Sequence, residues 1–286
     1  MAKAIVTGLA VLIGCGVAEQ TAATFQLVGV VGGVVRVEVP DSTSEVAFLG
    51  KPQLLLGSSA VLAIPLGTES GLHEFAVIPG EPGRAFGVVE VVAKDYPKEY
   101  ITIEDEEQVS PSAKTLKRIS RESQLMRTAY ARFTAHPQDL VPLVLPAEGR
   151  KSGVFGSQRF FNNQPRKPHS GLDIAAPVGT PIKSPAPGVV VVTGHFFFNG
   201  NTVMIDHGGG LVSMMCHMES ISVQEGHAVE RGSILGTIGT TGRSTGPHLH
   251  WSTSLQGERI DPEDLMRVVN SSYDGSASGG EPADVE

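Results

Sequence analysis

The chain has 286 residues, enough for two ordinary domains, and 41% hydrophobic with 18% charged residues describes a folded protein and argues against a disordered one. A formal net charge of −8, with no basic run interleaved with aromatics, argues against a nucleic-acid surface and gives no general attraction to an anionic polymer. The 34 glycines and 19 prolines favour many short strands and turns over long helices.

Residues 1–24 have the form of an export signal. Lys3 supplies a positive start, and Ala4 to Ala18 is an apolar run too short to span a bilayer as a helix. Within it, Leu12-Ile-Gly-Cys15 resembles a bacterial lipobox, which would make Cys15 a lipid-anchored first residue. The alternative is ordinary cleavage near Ala18 or Ala23, with Cys15 discarded. Either route takes the protein out of the cytoplasm, into the periplasm or cell envelope, and its membrane contact is expected only through such an anchor. Cys216 is the only other cysteine, so no disulfide is expected once Cys15 is lipidated or removed. In a strand Cys216 would face away from His217, as a small buried hydrophobe and not a nucleophile.

Residues 25–108 read as a small β-sandwich, immunoglobulin-like in its run of short strands. Val28–Val39, Ala60–Leu66, Leu72–Ile78, Phe86–Ala93 and Tyr100–Ile103 are the expected strands, and Val35-Arg-Val-Glu-Val39 alternates with period two. A connecting helix is expected over 109–136, with Ser110 as cap, Pro111 in the first turn and His136-Pro137 as the stop. Leu116, Ile119, Met126, Tyr130 and Phe133 recur at helical spacing, and the interspersed Lys and Arg residues read as a solvated face. Residues 140–270 are again β-rich, with strands over Gly188–Thr193, Asn201–Asp206, Leu211–Met218, Ser233–Ile238 and Pro247–Thr253. Residues 271–286, rich in Ser, Gly, Asp and Glu, read as a disordered acidic tail. The class is therefore all-β, in two domains.

Two short polar motifs lie in the second β-rich region. In Gly246-Pro-His-Leu-His-Trp251, strand alternation points His248 and His250 to one face. In Pro168-His-Ser-Gly-Leu-Asp173, His169 and Asp173 are four apart, but the nearby Pro and Gly favour a loop entering a strand over a helix. Two imidazoles and a carboxylate are the ligand types of catalytic zinc, which keeps a fourth position open. The two spacings alone do not separate such a site from chance.

The wider pattern is more specific. Phe155-Gly-Ser-Gln-Arg-Phe-Phe-Asn-Asn163, His169-Ser-Gly-Leu-Asp173, Gly179-Thr-Pro-Ile, Ala186-Pro-Gly-Val, Ser213-Met-Met-Cys-His-Met218, Gly226-His-Ala-Val-Glu-Arg-Gly232 and the run from Gly239 to His250 occur in that order over about 150–265. Together they resemble the lysostaphin-type (LytM-like) zinc metallopeptidases. The resemblance implies an antiparallel β-sheet peptidase domain with an open groove, acting on peptide bonds of bacterial peptidoglycan. It implies one zinc ion per chain on His169, Asp173 and His250, with His217 and His248 as catalytic, non-ligand histidines. No HExxH glutamate is present, so these two imidazoles would handle protons. Export and an envelope-type amino-terminal region point to the D-alanyl–diaminopimelate cross-link, with an envelope activator or adaptor as a further partner. The alternative is a non-catalytic regulator that activates another wall hydrolase. Such relatives have lost metal ligands, whereas all five positions are filled here.

Outside the five, Arg159 and Asn162 are candidates to line the groove. His207 reads as a turn or supporting residue, His195 and His227 as surface, and Trp251 as core. Where many relatives have Tyr-x-His-Leu, this chain has Met215-Cys-His-Met218. Strict alternation would set Met215 on the face of His217, looking into the groove, where methionine has no hydrogen bond to donate. Val223 to Gly232 also resembles a biotinyl or lipoyl hairpin but lacks the carrier lysine.

Overall fold

The computed structural model describes residues 27–80, 84–135 and 142–274. The export signal with Cys15, the helix stop at His136-Pro137 and the tail from residue 275 onward lie outside the described residues.

The valine-rich opening divides into β1 (Leu27–Val30) and β2 (Val34–Glu38), with Gly32 between them at φ +81°. Then come β3 (Thr43–Phe48), β4 (Lys51–Pro52), β5 (Leu54–Leu56), β6 (Ser59–Ala63), β7 (Gly71–Pro79) and β8 (Ala85–Val92). They form a five-stranded sheet ordered β1-β8-β7-β3-β4 and a three-stranded sheet ordered β2-β6-β5. Val35, Val37 and Leu62 of the smaller sheet meet Val46, Phe48, Phe75 and Val89 of the larger one in a single buried cluster. Strands β3 to β5 fall where Asp, Ser, Gly and Pro read as turns in the sequence.

β9 (Lys98–Ile101) leads to two helices, α1 (Glu106–Val109) and α2 (Ala113–Tyr130). This corrects the single helix expected from a Ser110 cap. Pro111 disfavours helical backbone at the residue before it, and Ser110 sits at φ −130°, ψ 75°. The caps are instead Asp105, bonded to Glu107 N, and Ser112, whose Oγ accepts from Thr115 N.

The carboxy-terminal half contains β10 (Arg150–Gly153), β11 (Gln158–Phe161), β12 (Gln164–Pro165), β13 (Leu172–Ala175), β14 (Pro181–Lys183), β15 (Gly188–Phe196) and β16 (Gly200–Asp206). It continues through β17 (Leu211–Ile221), β18 (Ala228–Val229), β19 (Ile234–Ile238), β20 (His248–Leu255), β21 (Glu258–Ile260) and α3 (Pro262–Asp274). Ten of these strands make a sheet along the path β10-β13-β20-β17-β16-β15-β18, with β14, β19 and β21 attached at the side. Its pairings are antiparallel. One face buries Ile174, Ile205, Met215, Leu249 and Trp251; the other packs Met204, Met214 and Cys216 against Ala129 and Tyr130 of α2. The chain is thus mostly β with few helices.

α3 lies beyond the last expected strand, at the end of the region read as β-rich, and runs into the tail expected from residue 271. Pro262 opens it, Glu263 and Asp264 fill its first turn, and Leu265, Val268 and Val269 are buried on one face. These three join Val34, Leu54 and Val61 from the first half and Leu211 and Leu255 from the second in one core. The junction also carries hydrogen bonds from Val34 N to Asp264 Oδ2 (2.8 Å) and from Asp261 N to Gly32 O (2.8 Å). A further link is β9, which pairs in parallel with β11 and stacks Tyr100 on Phe160, ring centroids 4.8 Å apart.

Candidate active site

On β20, alternation puts His248 and His250 on one face and sends Leu249 and Trp251 into the core behind it. β13 runs antiparallel beside β20 with Asp173 opposite His250, so the carboxylate and the imidazole share that face. His169 arrives from the loop before β13. Gly171 makes this approach possible, since a Cβ there would stand 2.4 Å from the Trp251 carbonyl and 2.8 Å from His250 Cε1.

His169 Nε2, His250 Nδ1 and Asp173 Oδ1 lie 2.8–3.0 Å from one another. All three residues are buried, and among the described residues theirs is the grouping of donor atoms able to hold a metal ion. The Val154 carbonyl, 2.9 Å from His169 Nδ1, can only accept, so the proton sits on Nδ1 and Nε2 is a bare lone pair. Arg159 Nη2 holds the second oxygen of Asp173 at 2.6 Å, and Arg159 Nε pairs with Glu99 at 3.0 Å. Burial raises the Asp173 pKa, but close contact with the His169 and His250 imidazoles outweighs it and holds the carboxyl well below the usual range. Burial pushes His250 down to about 4 against the pull of Asp173. A neutral, lone-pair-bearing imidazole is the form a metal takes.

His217 and His248 stand beside this set, ring centroids 4.7 Å apart, with His217 6.2 Å from His250. Each presents Nε2 for the same reason as His169: Nδ1 faces a carbonyl, Thr241 O at 2.8 Å for His217 and Gly246 O at 2.8 Å for His248. Burial, with His248 and His250 adding to it, lowers the His217 pKa to about 3. The Thr241 loop comes this close because Gly200 and Gly242 interlock; a Cβ on Gly242 would meet Gly200 N at 2.3 Å.

A β-bulge brings His217 to this face. Strand alternation from Met215 would have buried it on the opposite side. Residue 217 instead adopts φ +59°, and the pairing with β16 shifts between Val203↔Met215 and Asn201↔Met218. Its backbone stays bonded, N–H to Asn199 O (2.8 Å) and C=O from Gly239 N–H (3.0 Å). The expectation that Met215 looks into the groove is therefore wrong. Met215 is fully buried among Leu249, Trp251 and Val203. Cys216 is also buried, and burial lifts its thiol to about 12, as expected of an inert core cysteine.

The histidines open into a groove of about 620 Å³. One wall is the catalytic sheet; the other is Ile101, Ile103 and Val109 with Leu116 and Ile119 of α2. Arg159, Arg166, Lys167 and Arg243 also line it.

Comparison with known proteins places this geometry. Residues 167–262 match the model for peptidase family M23. A crystal structure of a putative peptidase M23 from Pseudomonas aeruginosa is 38% identical, covers 83% of this chain and 94% of its own, and superposes with a TM-score of 0.68. The chain belongs to peptidase family M23. Among curated relatives, the DD-carboxypeptidase/endopeptidase Mpg of Neisseria meningitidis serogroup B is 43% identical over 94 residues, 33% of this chain and 22% of the relative. The peptidoglycan DD-endopeptidase ShyA of Vibrio cholerae is 42% identical over 94 residues, again 33% and 22%. The chain thus spans about a fifth of the length of these relatives.

Within the M23 fold, the five residues singled out by motif converge on one site. Arg159 lines it, as expected, through a bond to Asp173 that no spacing announces. Asn162 does not: it is exposed and pairs through its amide with both backbone groups of Ile103. His207 is a buried turn residue bonded to Pro187 O and Ser213, and His195 and His227 are exposed. Arg243, Phe161 and the α2 residues were not assigned to the groove from sequence; they lie in segments already noted, but only the folded loop and helix bring them to one wall.

Proposed function

We propose that this M23 chain is a zinc-dependent endopeptidase that hydrolyses peptide cross-links of bacterial peptidoglycan, with D-alanyl–diaminopimelate as the bond cut. The observation that carries the reading is one face bearing three clustered donor atoms, on His169, Asp173 and His250, beside two bare Nε2 atoms on His217 and His248. The printed names of the relatives, DD-endopeptidases of peptidoglycan, support the substrate class.

The residues fit a zinc ion: His169 Nε2, His250 Nδ1 and Asp173 Oδ1 would hold it, with the charge of one carboxylate leaving it electrophilic. When bound, zinc supplies Lewis acidity toward a peptide carbonyl and acidifies water. The chain's own groups do the rest. Val154 and Arg159 fix the donor orientation from behind. His217 or His248 accepts a proton from the attacking water at Nε2 and returns it to the leaving amine as the C–N bond breaks, while the other, once itself protonated at Nε2, donates toward the oxygen that gains charge. The low pKa of His217 keeps it neutral, and so able to accept, at neutral pH.

We assign the export signal at 1–24 and the Cys15 anchor to delivery in the periplasm, and read 25–108 as an immunoglobulin-like accessory domain, 109–136 as a connecting segment and 140–270 as the peptidase domain. The alternative, a regulator without activity, is disfavoured by the complete donor set. Elemental analysis and digestion of purified cross-linked dimers, with fragments identified by mass, test the proposal together. His169→Ala, Asp173→Ala and His250→Ala are expected to lose zinc. His217→Ala and His248→Ala are expected to keep it and lose turnover by ~10²–10⁴. Full zinc occupancy in the first three variants, or intact dimers after prolonged digestion by the zinc-loaded wild type, would sink the reading.

A further inference from the structure

The protein carries a net charge of −8, yet Arg159, Arg166, Lys167 and Arg243 converge on the groove. Arg159 is neutralised by Glu99 and Asp173. Arg166 and Arg243 form no ion pair among the described residues. The guanidinium of Arg243 lies between two aromatic rings, 4.5 Å from the centroid of Phe161 and 4.0 Å from that of Phe198. Among the described residues its side chain makes one hydrogen bond, Nη1 to Gln108 O at 3.0 Å. Arg166 stands 6.0 Å from the same Phe161 ring and gives Nη2 to Val109 O at 2.9 Å and to Gln164 Oε1 at 2.8 Å, and Nη1 to Pro165 O at 3.3 Å, all neutral acceptors. Burial and the two neighbouring arginines lower Arg243 to about 10, which leaves it charged at neutral pH.

Two guanidiniums sharing one aromatic ring, partly desolvated and mutually repelling, are costly unless an anion joins them. Holding the last two carbonyls of α1 does not explain them, because a neutral donor would satisfy a carbonyl without importing charge. What a pair of planar forks matches is a carboxylate. Position agrees with chemistry. Arg243 lies in the 241–246 segment whose Thr241 and Gly246 carbonyls orient His217 and His248. An anion gripped there would be fixed relative to both imidazoles.

We infer that Arg166 and Arg243 form a carboxylate subsite, which selects peptide cross-links bearing a free carboxyl group next to the scissile amide. The inference rests on the peptidase reading above; a diaminopimelate cross-link carries such a group. The α1 carbonyls occupy part of the donor set until substrate arrives.

The test uses two synthetic cross-linked peptides that differ only in that carboxyl, free in one and a carboxamide in the other. The zinc-loaded full chain is expected to prefer the free acid by ~10-fold or more in kcat/KM, the scale of a charged hydrogen-bonded pair, with the difference mainly in KM. In Arg166→Gln and Arg243→Gln the ratio of the two substrates falls toward unity, and in Arg243→Lys it falls part-way. A wild-type ratio near unity overturns the subsite, as does an unchanged ratio in both Gln variants. Loss of both activities to the same extent also overturns it, since that marks the arginines as structural. Cleavage of neither peptide by wild type would instead be a failure of the peptidase reading. Calorimetric binding to zinc-loaded His217→Ala then decides the subsite alone: preference for the acid sustains it, and equal affinity overturns it. Thermal midpoints of each variant identify any that has not folded, and the wild-type ratio and binding preference stand without them.

Discussion

A single methyl group at position 171 is enough to test how tightly the donor set is held. Gly171→Ala removes no candidate ligand, but its Cβ would intrude on the His250 ring, 2.9 Å from Nε2, and on the Trp251 carbonyl. The ring, the carbonyl or both must shift. Zinc affinity, measured by chelator competition, is expected to fall roughly 10- to 100-fold, the scale seen when outer-shell support of a ligand is disturbed; unaltered affinity would mean the ring has slack. Met215 supplies the contrasting case. It is sealed on the far face of β17, so Met215→Tyr adds bulk to a full core and offers nothing to the groove. The expected result is a stability loss of ~1–3 kcal/mol in denaturant unfolding with no gain in turnover. At this scale the five polar site residues were legible because an ordered series of motifs over about 150–265 carries them, where either short spacing alone did not. The face of His217 was not, because a bulge defeats the two-residue period on which the reading of Met215 relied.

At the scale of elements, α2 serves two structures at once. Its amino-terminal part gives Leu116 and Ile119 to the groove, and its last turns give Ala129 and Tyr130 to the core behind β16 and β17. A helix with duties at both ends depends on where it begins. Ser112→Ala removes the cap that accepts from Thr115 N, and with it the hydroxyl bond to Glu107. The cost is expected to be about 0.5–2 kcal/mol, read as a lowered thermal midpoint, with earlier amide exchange at the start of α2 than at Tyr130. Uniform exchange along the helix would contradict a local cap. Most long strands were visible as valine-rich or alternating runs. α3 was missed, although Pro262 followed by acids and by Leu265, Val268 and Val269 has the form of a helix start, and its last residues were read as part of the tail. The split between α1 and α2 turned on one proline whose effect on Ser110 outweighed the serine's promise as a cap.

At the scale of the whole molecule, the two halves share a core through α3, so they are expected to melt together. Calorimetry should show one transition, and Leu265→Ala, which empties a fully buried position in that shared core, should lower all of it by ~2–5 kcal/mol. Two separate peaks, with only one displaced, would show independent units. The division at residues 108 to 140 that the sequence invites is thus a boundary of topology more than of packing, since Val34, Leu54 and Val61 contact partners some two hundred positions away only after folding. The same junction bears on transplantation. The family match begins at residue 167, yet the carbonyl that fixes His169 belongs to Val154, the cation behind Asp173 is Arg159, and the strand flanking Arg159 is β9. A module excised at that boundary for a chimeric protein would carry its would-be ligands without the parts that aim them. A graft that begins upstream of Lys98 keeps both.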